Sequence, residues 1–287
     1  MIRISRLNNK LKLLYLFILL LAISSYYLLP RVPKELTVID KMGKHSTALC
    51  PQLTPAMPAQ AAGFVDDTFS LLNWNIYKQQ NPQWQTQLEK WSSETDFITL
   101  QEAKYDQRLI DFSDQEHLYP LQNVAFSMQG TDYGVNTFSR IQPLQKCATR
   151  YSEPWTYIPK TGLASTYAIR GSQQTLLLIN LHGVNFTLTS TPLKEQVSPY
   201  LQLIEAHQGP IIISGDFNTW SKARSEEVID TLISEGFAET LFSKDQRLIV
   251  FGYPLDHVFY RDLTVLGAQS IETDASDHTP QRVTFSL

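Results

Sequence analysis

Ile211-Ile212-Ile213-Ser214-Gly215-Asp216-Phe217-Asn218 decides how this 287-residue chain is read. Three consecutive β-branched apolar residues predict a buried strand. Gly215 lets the backbone turn or come close to a ligand. Asp216 and Asn218, two residues apart, fall on one side of the strand's C-terminal end. One supplies a charged acceptor, the other a neutral amide that donates and accepts. That pairing suits a water that must lose a proton beside an oxyanion that must be stabilised. Read alone, it equally suits a turn closing a strand, for which Asp and Asn are routine.

Five further segments put polar groups at or near the ends of apolar runs. Ala275-Ser276-Asp277-His278-Thr279-Pro280 reads as a fixed loop at a sheet edge, or simply as a surface loop. A His beside a carboxylate is a usual acid, base or phosphate contact. In Leu100-Gln101-Glu102 a carboxylate ends a strand, where it caps a helix or binds a hard cation. Asn73-Trp74-Asn75 sets amides inside an apolar strand, and buried amides need partners. His182 ends the apolar run Leu176–Leu181. Asp256 lies within a strand, and His257 beside it should face the opposite side and pack. Arg140 reads as a surface Arg before a phosphate contact, and Trp74 and Tyr77 as core before base-stacking platforms.

From Thr68 onward, β-type and α-type stretches alternate. Strands are expected at 69–77, 96–103, 123–128, 134–139, 164–170, 175–182, 210–216, 248–260, 264–271 and 281–286. Helices are expected at 82–91, 193–207 and 223–235. Many strands with few helices between them predict an α/β fold: two sheets face to face with helices outside, within one domain at 67–287.

Composition narrows the function classes. Hydrophobic residues make up 43% and charged residues 18%, which excludes wholesale disorder. Two cysteines, Cys50 and Cys147, exclude a disulfide scaffold or a cysteine-rich zinc fold; their distance is not readable from sequence. Residues 1–34 hold six basic side chains and no acid, which leaves −10 on the rest of the chain. An acidic body is a poor counterion-release surface for duplex nucleic acid, although metal ions can bring phosphate to an acidic site. Phosphate-binding loops, dinucleotide fingerprints, nucleophile elbows and H-E-x-x-H motifs are absent from the sequence.

Residues 1–30 read as a hydrophobic anchor. The uncharged run Leu13–Leu29 follows Arg3, Arg6, Lys10 and Lys12 and as a helix would span about 25 Å. Ala22-Ile23-Ser24 offers the spacing of a cleavage site, but apolar character continues past it, which favours an uncleaved anchor. The basic flank predicts an inner-membrane protein with a periplasmic body; a cytoplasmic protein is the alternative. Residues 31–66, with four prolines, read as a loosely ordered tether.

Taken together, the six strand-end groups resemble the endonuclease/exonuclease/phosphatase superfamily. It includes pancreatic-type deoxyribonucleases, abasic-site endonucleases, inositol polyphosphate phosphatases and neutral sphingomyelinases. The resemblance runs from about Phe69 to the C-terminus and rests on G-D-F-N with S-D-H downstream and an N…QE pair upstream. The runs WNIYKQQ, NLHGVNF, GDFNTWS, PLDHVFYR and SDHTP also resemble a bacterial branch, the YafD-like proteins, which supplies no substrate. The resemblance implies a four-layer αββα sandwich and hydrolysis of phosphate esters with Mg2+ or Mn2+. Glu102 would be the principal metal ligand, aided by Asn75 and Asp277. Asp216 would orient or deprotonate the attacking water, and Asn218 would hold a phosphoryl oxygen. His278 would contact the phosphate, oriented by Asp256, and His182 would aim at the scissile phosphate. The substrate is left as nucleic acid, a lipid head group or a small phosphodiester. The alternative is a binding module without catalysis on the same fold.

Overall fold

The computed structural model describes residues 9–47, 49–50, 61–156, 158–187 and 189–287. The first half runs α1 (Asn9–Leu28), β1 (Thr37–Asp40), β2 (Gly43–Ser46), β3 (Thr68–Asn75), α2 (Trp84–Ser92), β4 (Phe97–Tyr105), α3 (Gln107–Gln115), β5 (Tyr119–Met128), β6 (Thr131–Ser139) and β7 (Gln145–Ser152). The second half runs β8 (Pro159–Ala168), β9 (Thr175–His182), α4 (Thr191–Ala206), β10 (Ile211–Asp216), α5 (Lys222–Ser234), β11 (Ala238–Glu239), β12 (Ile249–Val250), β13 (Tyr253–Pro254), β14 (Asp256–Arg261), β15 (Thr264–Ser270) and β16 (Gln281–Ser286).

Two mixed sheets result. One has eight strands in the order β15-β16-β3-β4-β6-β5-β1-β2, the other six in the order β11-β14-β10-β9-β8-β7. The three isoleucines show why the sheets need helices outside. Ile211 and Ile213 pack with Leu193 and Val197 of α4 and Val228 and Leu232 of α5. Ile212 points the other way and packs with Leu71, Phe97 and Phe285 of the eight-stranded sheet. A strand apolar on both faces is the signature of a central, doubly covered strand. On the eight-stranded sheet, Leu72, Trp74, Ile98 and Leu100 face Trp84, Leu88, Leu109 and Phe112 of α2 and α3. The four-layer α/β sandwich is therefore as expected.

The interface between the sheets changes character along its length. One part is the apolar cluster around Ile212. Next to it lies a polar seam. Thr99 Oγ1 bonds Ser214 Oγ across the sheets at 2.9 Å, and Gln101 Nε2 donates to Asn73 at 2.9 Å and Asn180 at 2.8 Å. Such networks rigidify a core when their members are satisfied. Alternation then carries Asn75 on β3 and Asp216 on β10 onto the same inward side, at the polar end.

Gly215 serves the strand pairing. A Cβ there would lie 1.8 Å from the Leu181 carbonyl oxygen of β9, so the glycine permits close approach of backbone to backbone, with no ligand involved.

Several expectations are corrected. The stretch read as a tether is stitched onto the body. The hairpin β1–β2 joins the eight-stranded sheet through β5, Leu49 bridges Ala148, Val65 bridges Ile169, and Cys50 is disulfide-bonded to Cys147. Prolines do not prevent this, because the pairing segment Thr37–Ser46 contains none. Residues 51–60 of that stretch lie outside the described residues. The expected strand 248–260 is broken into β12, β13 and β14, and β7 and α3 were not anticipated.

The N-terminal segment forms α1, and its described side chains from Leu13 to Leu21 are exposed, so they do not dock on the sheets. Among the described residues no helix is long and apolar enough to cross a membrane, so the expected spanning anchor finds no support there. The uninterrupted apolar run between Lys12 and Ser24 covers about 17 Å, well short of a hydrocarbon core of roughly 30 Å. Arg3 and Arg6, and the side chains of Lys10, Ala22, Ile23 and Ser24, lie outside the described residues.

Candidate active site

At the polar end of the interface the strand ends surround a cavity of about 240 Å³. Asn75, Glu102, His182, Asp216, Asn218, Asp277 and His278 all line it. Asp256 stands behind His278, fully buried, and reaches the cavity only through that ring. The structure thus gathers all eight expected residues.

Asp216 is the hub. Its Oδ2 accepts from Asn75 Nδ2 at 2.9 Å and lies 3.5 Å from His182 Nε2 and 3.8 Å from His278 Nε2. Its Oδ1 accepts from the Asn218 backbone N–H at 2.9 Å. Asn218 adopts φ 52°, a left-handed conformation in which its own amide donates to Gly183 O at 2.9 Å. That leaves one side-chain N–H for the cavity.

His278 Nδ1 bonds Asp256 Oδ2 at 2.7 Å, and the loop that carries it is pinned on both sides. Trp74 Nε1 donates to His278 O, Ser276 Oγ donates to Asn75 O, and Gln281 Nε2 donates to Asp256 O. Burial works against a charged imidazole, but Asp256 and Asp216 outweigh it and push the His278 pKa up to about 10. Burial, with Asp256 adding, pushes Asp216 above the ordinary carboxylate range even though His278 opposes. His182 moves the other way. Burial, then the cations Lys160 and Lys78, hold it well below its usual value, so the ring is neutral.

Glu102 reaches the cavity through a bulge. The β4–β6 register shifts between Leu100 and Ala103, and Glu102 takes φ 53°. The shift lets Gln101 and Glu102 both serve the inner side, whereas strict alternation would turn Glu102 toward α2 and α3. Left-handed backbone at a non-glycine residue costs on the order of 1–3 kcal/mol and persists where the surroundings demand it.

Two lysines complete the site. Lys78 pairs with Glu102 from a turn in which Tyr77, Lys78 and Gln79 take φ of 48°, 51° and 55°. Lys160, on β8, lies 2.7 Å from His182 Nε2, 3.8 Å from Glu102 and 4.0 Å from the buried Glu153. Burial raises the Glu102 pKa, but Lys160 and Lys78 outweigh it and hold it below normal. Neither lysine was singled out from the sequence. A Lys flanked by apolar strand residues, as in Ile158-Pro159-Lys160-Thr161-Gly162-Leu163, was the available signal. Arg140, by contrast, is held by the Thr95, Glu116 and Ser92 carbonyls, a structural role.

Asp216, Asp256 and His278 offer atoms within 4.8 Å of one another, close enough for a metal. A His278 imidazolium carries protons on both nitrogens, so it is a poor ligand. The oxygen donors Asn75, Glu102 and Asp277 are the better set for a hard divalent cation. The Lys78 ammonium already shows that a cation is accepted at Glu102. The residues therefore fit the group.

A two-sheet α/β sandwich with a carboxylate, imidazole and amide cluster at one edge defines a hydrolase scaffold of the phosphoesterase kind. The chain belongs to the Endonuclease/Exonuclease/phosphatase family, whose sequence profile matches residues 72–278. It is 35% identical to a UPF0294 protein of Vibrio parahaemolyticus over 278 residues, covering 94% of this chain and 96% of that one. Its fold is similar to the human Nocturnin catalytic domain (TM-score 0.60, 15% identity, 81% of this chain and 99% of the other). It is also similar to a mannosyl-6-phosphatase of Bacteroides thetaiotaomicron (TM-score 0.57, 14% identity, 76% and 100% covered).

Proposed function

We propose that this protein hydrolyses phosphate esters with a divalent cation, Mg2+ or Mn2+, held by Glu102, Asn75 and Asp277. The observation that carries this reading is Asp216, fixed by Asn75 and the Asn218 N–H, standing between two imidazoles of opposite charge state. A carboxylate whose pKa is raised is the better base, so Asp216 takes the proton of a water as that water attacks phosphorus. The phosphorus–oxygen ester bond breaks, and its electron pair leaves with the ester oxygen, which takes a proton from solvent. Charge on the phosphoryl oxygens is met by the His278 imidazolium, kept protonated by Asp256, and by the free amide N–H of Asn218. His182 takes a different part from the one the resemblance suggests. Its Nε2 accepts from Lys160, so the donor presented to the phosphate is the Lys160 ammonium. A bound cation supplies charge neutralisation and a coordinated water.

The test is direct. The purified chain should hydrolyse bis(4-nitrophenyl) phosphate with added Mg2+ or Mn2+ and lose that activity in EDTA. Hydrolysis undiminished by EDTA would overturn the metal assignment. No turnover on any phosphate ester would leave the family fold serving as a binding module.

We also propose that the body works outside the cytoplasm. The support is the Cys50–Cys147 disulfide, a bond that persists in oxidising compartments. A C-terminal alkaline phosphatase fusion should be active, and thiol labelling of the protein from cells should find both cysteines blocked.

A further inference from the structure

A second cavity, about 280 Å³, opens directly off the catalytic one. The two share Lys78, Glu102, Lys160, His182 and Asn185, so one continuous space has a charged end and another end. The far end is walled by Ala125, Phe126, Tyr133, Ile158 and Phe186. Phe126 and Tyr133 are stacked on each other, centroids 5.0 Å apart at 5°, and present a flat aromatic wall. The β5–β6 register shifts between Val124 and Phe126, so a bulge at Ala125 opens the space. Phe186 is 56% exposed at the rim, a large apolar side chain left in water beside a cluster of charges. Apolar surface at such a place marks a ligand contact, and an apolar pocket with few convergent polar groups at one end is the form of a small-molecule site.

We propose that this slot receives an uncharged aromatic group, one ring system in size, carried by the leaving portion of the ester whose phosphate is held in the catalytic cavity. The inference rests on the phosphoesterase reading and deepens it by naming the class of ester. Size sets the limit. A cavity of about 280 Å³ lies at the small end of small-molecule sites, which suits one ring system. Charge sets the direction. Lys78 and Lys160 stand at the junction, where the phosphate oxygens belong, and the walls beyond carry rings and one carboxylate, Glu153, which is held by the Asn185 N–H and Thr156. Thr156 and Thr161 add hydroxyls to the lining, so the ring is either a plain aryl group or a nucleobase.

The experiment is calorimetric titration of the full, disulfide-bonded chain in EDTA, so that binding is read without turnover. The probes are inorganic phosphate, glycerol 3-phosphate, phenyl phosphate and adenosine monophosphate. Phenyl phosphate should bind about tenfold more tightly than glycerol 3-phosphate, an advantage that area burial in a preformed slot supports. Ala125→Phe fills the slot and Phe186→Ala removes its rim. Each should cut the phenyl-over-glycerol ratio at least about fivefold, and the second change, at a half-exposed position, leaves folding intact. A further gain for adenosine monophosphate assigns a nucleobase; equal affinity with phenyl phosphate assigns any ring. Equal binding of phenyl and glycerol phosphates, or a ratio unmoved in both variants, would overturn the slot alone. Failure of every probe in EDTA, inorganic phosphate included, would overturn the slot; the phosphoesterase reading falls only if bis(4-nitrophenyl) phosphate is also left intact with Mg2+ or Mn2+ present.

Discussion

Adjacent residues of β14 take part in two His–carboxylate pairs with opposite fates. Asp256 holds His278 through Nδ1 at 2.7 Å, and Glu239 holds His257 through Nδ1 at 2.7 Å. The lengths are equal and both rings are buried. The difference is the other nitrogen. His257 Nε2 is satisfied by Thr219 Oγ1 at 2.7 Å and Pro254 O at 3.2 Å, and the ring sits edge-on to Phe217 and stacked on Phe259. His278 Nε2 faces the catalytic cavity, with Asp216 3.8 Å away. The partner of one nitrogen sets a ring's charge and orientation. What the second nitrogen meets decides whether the pair does chemistry or packs.

The comparison breaks most visibly at the dyad itself. His278→Ala and Asp256→Asn should each lower kcat/KM by about 10²-fold or more, and the double variant should cost little beyond either. Steady-state kinetics of the three proteins check this. Fully additive losses would mean that Asp256 and His278 work independently.

Glu102→Gln comes next. It keeps the size of the side chain and removes its charge. The expected result is a loss of about tenfold or more in turnover together with a higher divalent-cation requirement, read from metal titrations. Circular dichroism should be unchanged.

His257→Gln should do the opposite. It should cost about 1–3 kcal/mol of stability in denaturant titration, since buried partners are left unpaired. Per folded molecule, kcat should stay as it was. A hundredfold loss of kcat would erase the distinction between the two pairs.

Acid gives the smallest effect. Burial raises the Glu239 pKa, but the hydrogen bond from His257 and the contacts of Arg247 outweigh it and hold it below 4.5. A depressed carboxylate pKa contributes stability above the unfolded value and loses it as pH falls through the folded value. The stability gap between the native chain and Glu239→Gln should therefore be full at pH 7 and narrow as pH drops below about 4.5. Urea midpoints across that range check it.

What the sequence determined by itself was the strands' inner and outer faces and the chemistry at their ends. Alternation is a local property, so Ile211 to Ile213, the opposed faces of Asp256 and His257, and the inward aim of Asn75 and Asp216 were all legible. The loose ends lay where non-local pairing overrides local character. The 31–66 stretch looked unstructured because its order comes from β5 and from Cys147. β7 is a polar edge strand, paired along its length only to β8 and touched on its other side by the single Leu49–Ala148 bridge. Only the tertiary structure turned Glu102 inward, because a bulge exists in the register between two strands and in neither alone. The same holds for Lys78 and Lys160. One lies on a left-handed turn without a glycine, the other on a strand of the opposite sheet. They reach Glu102 because two sheets close on each other, a long-range packing that no single segment's periodicity encodes.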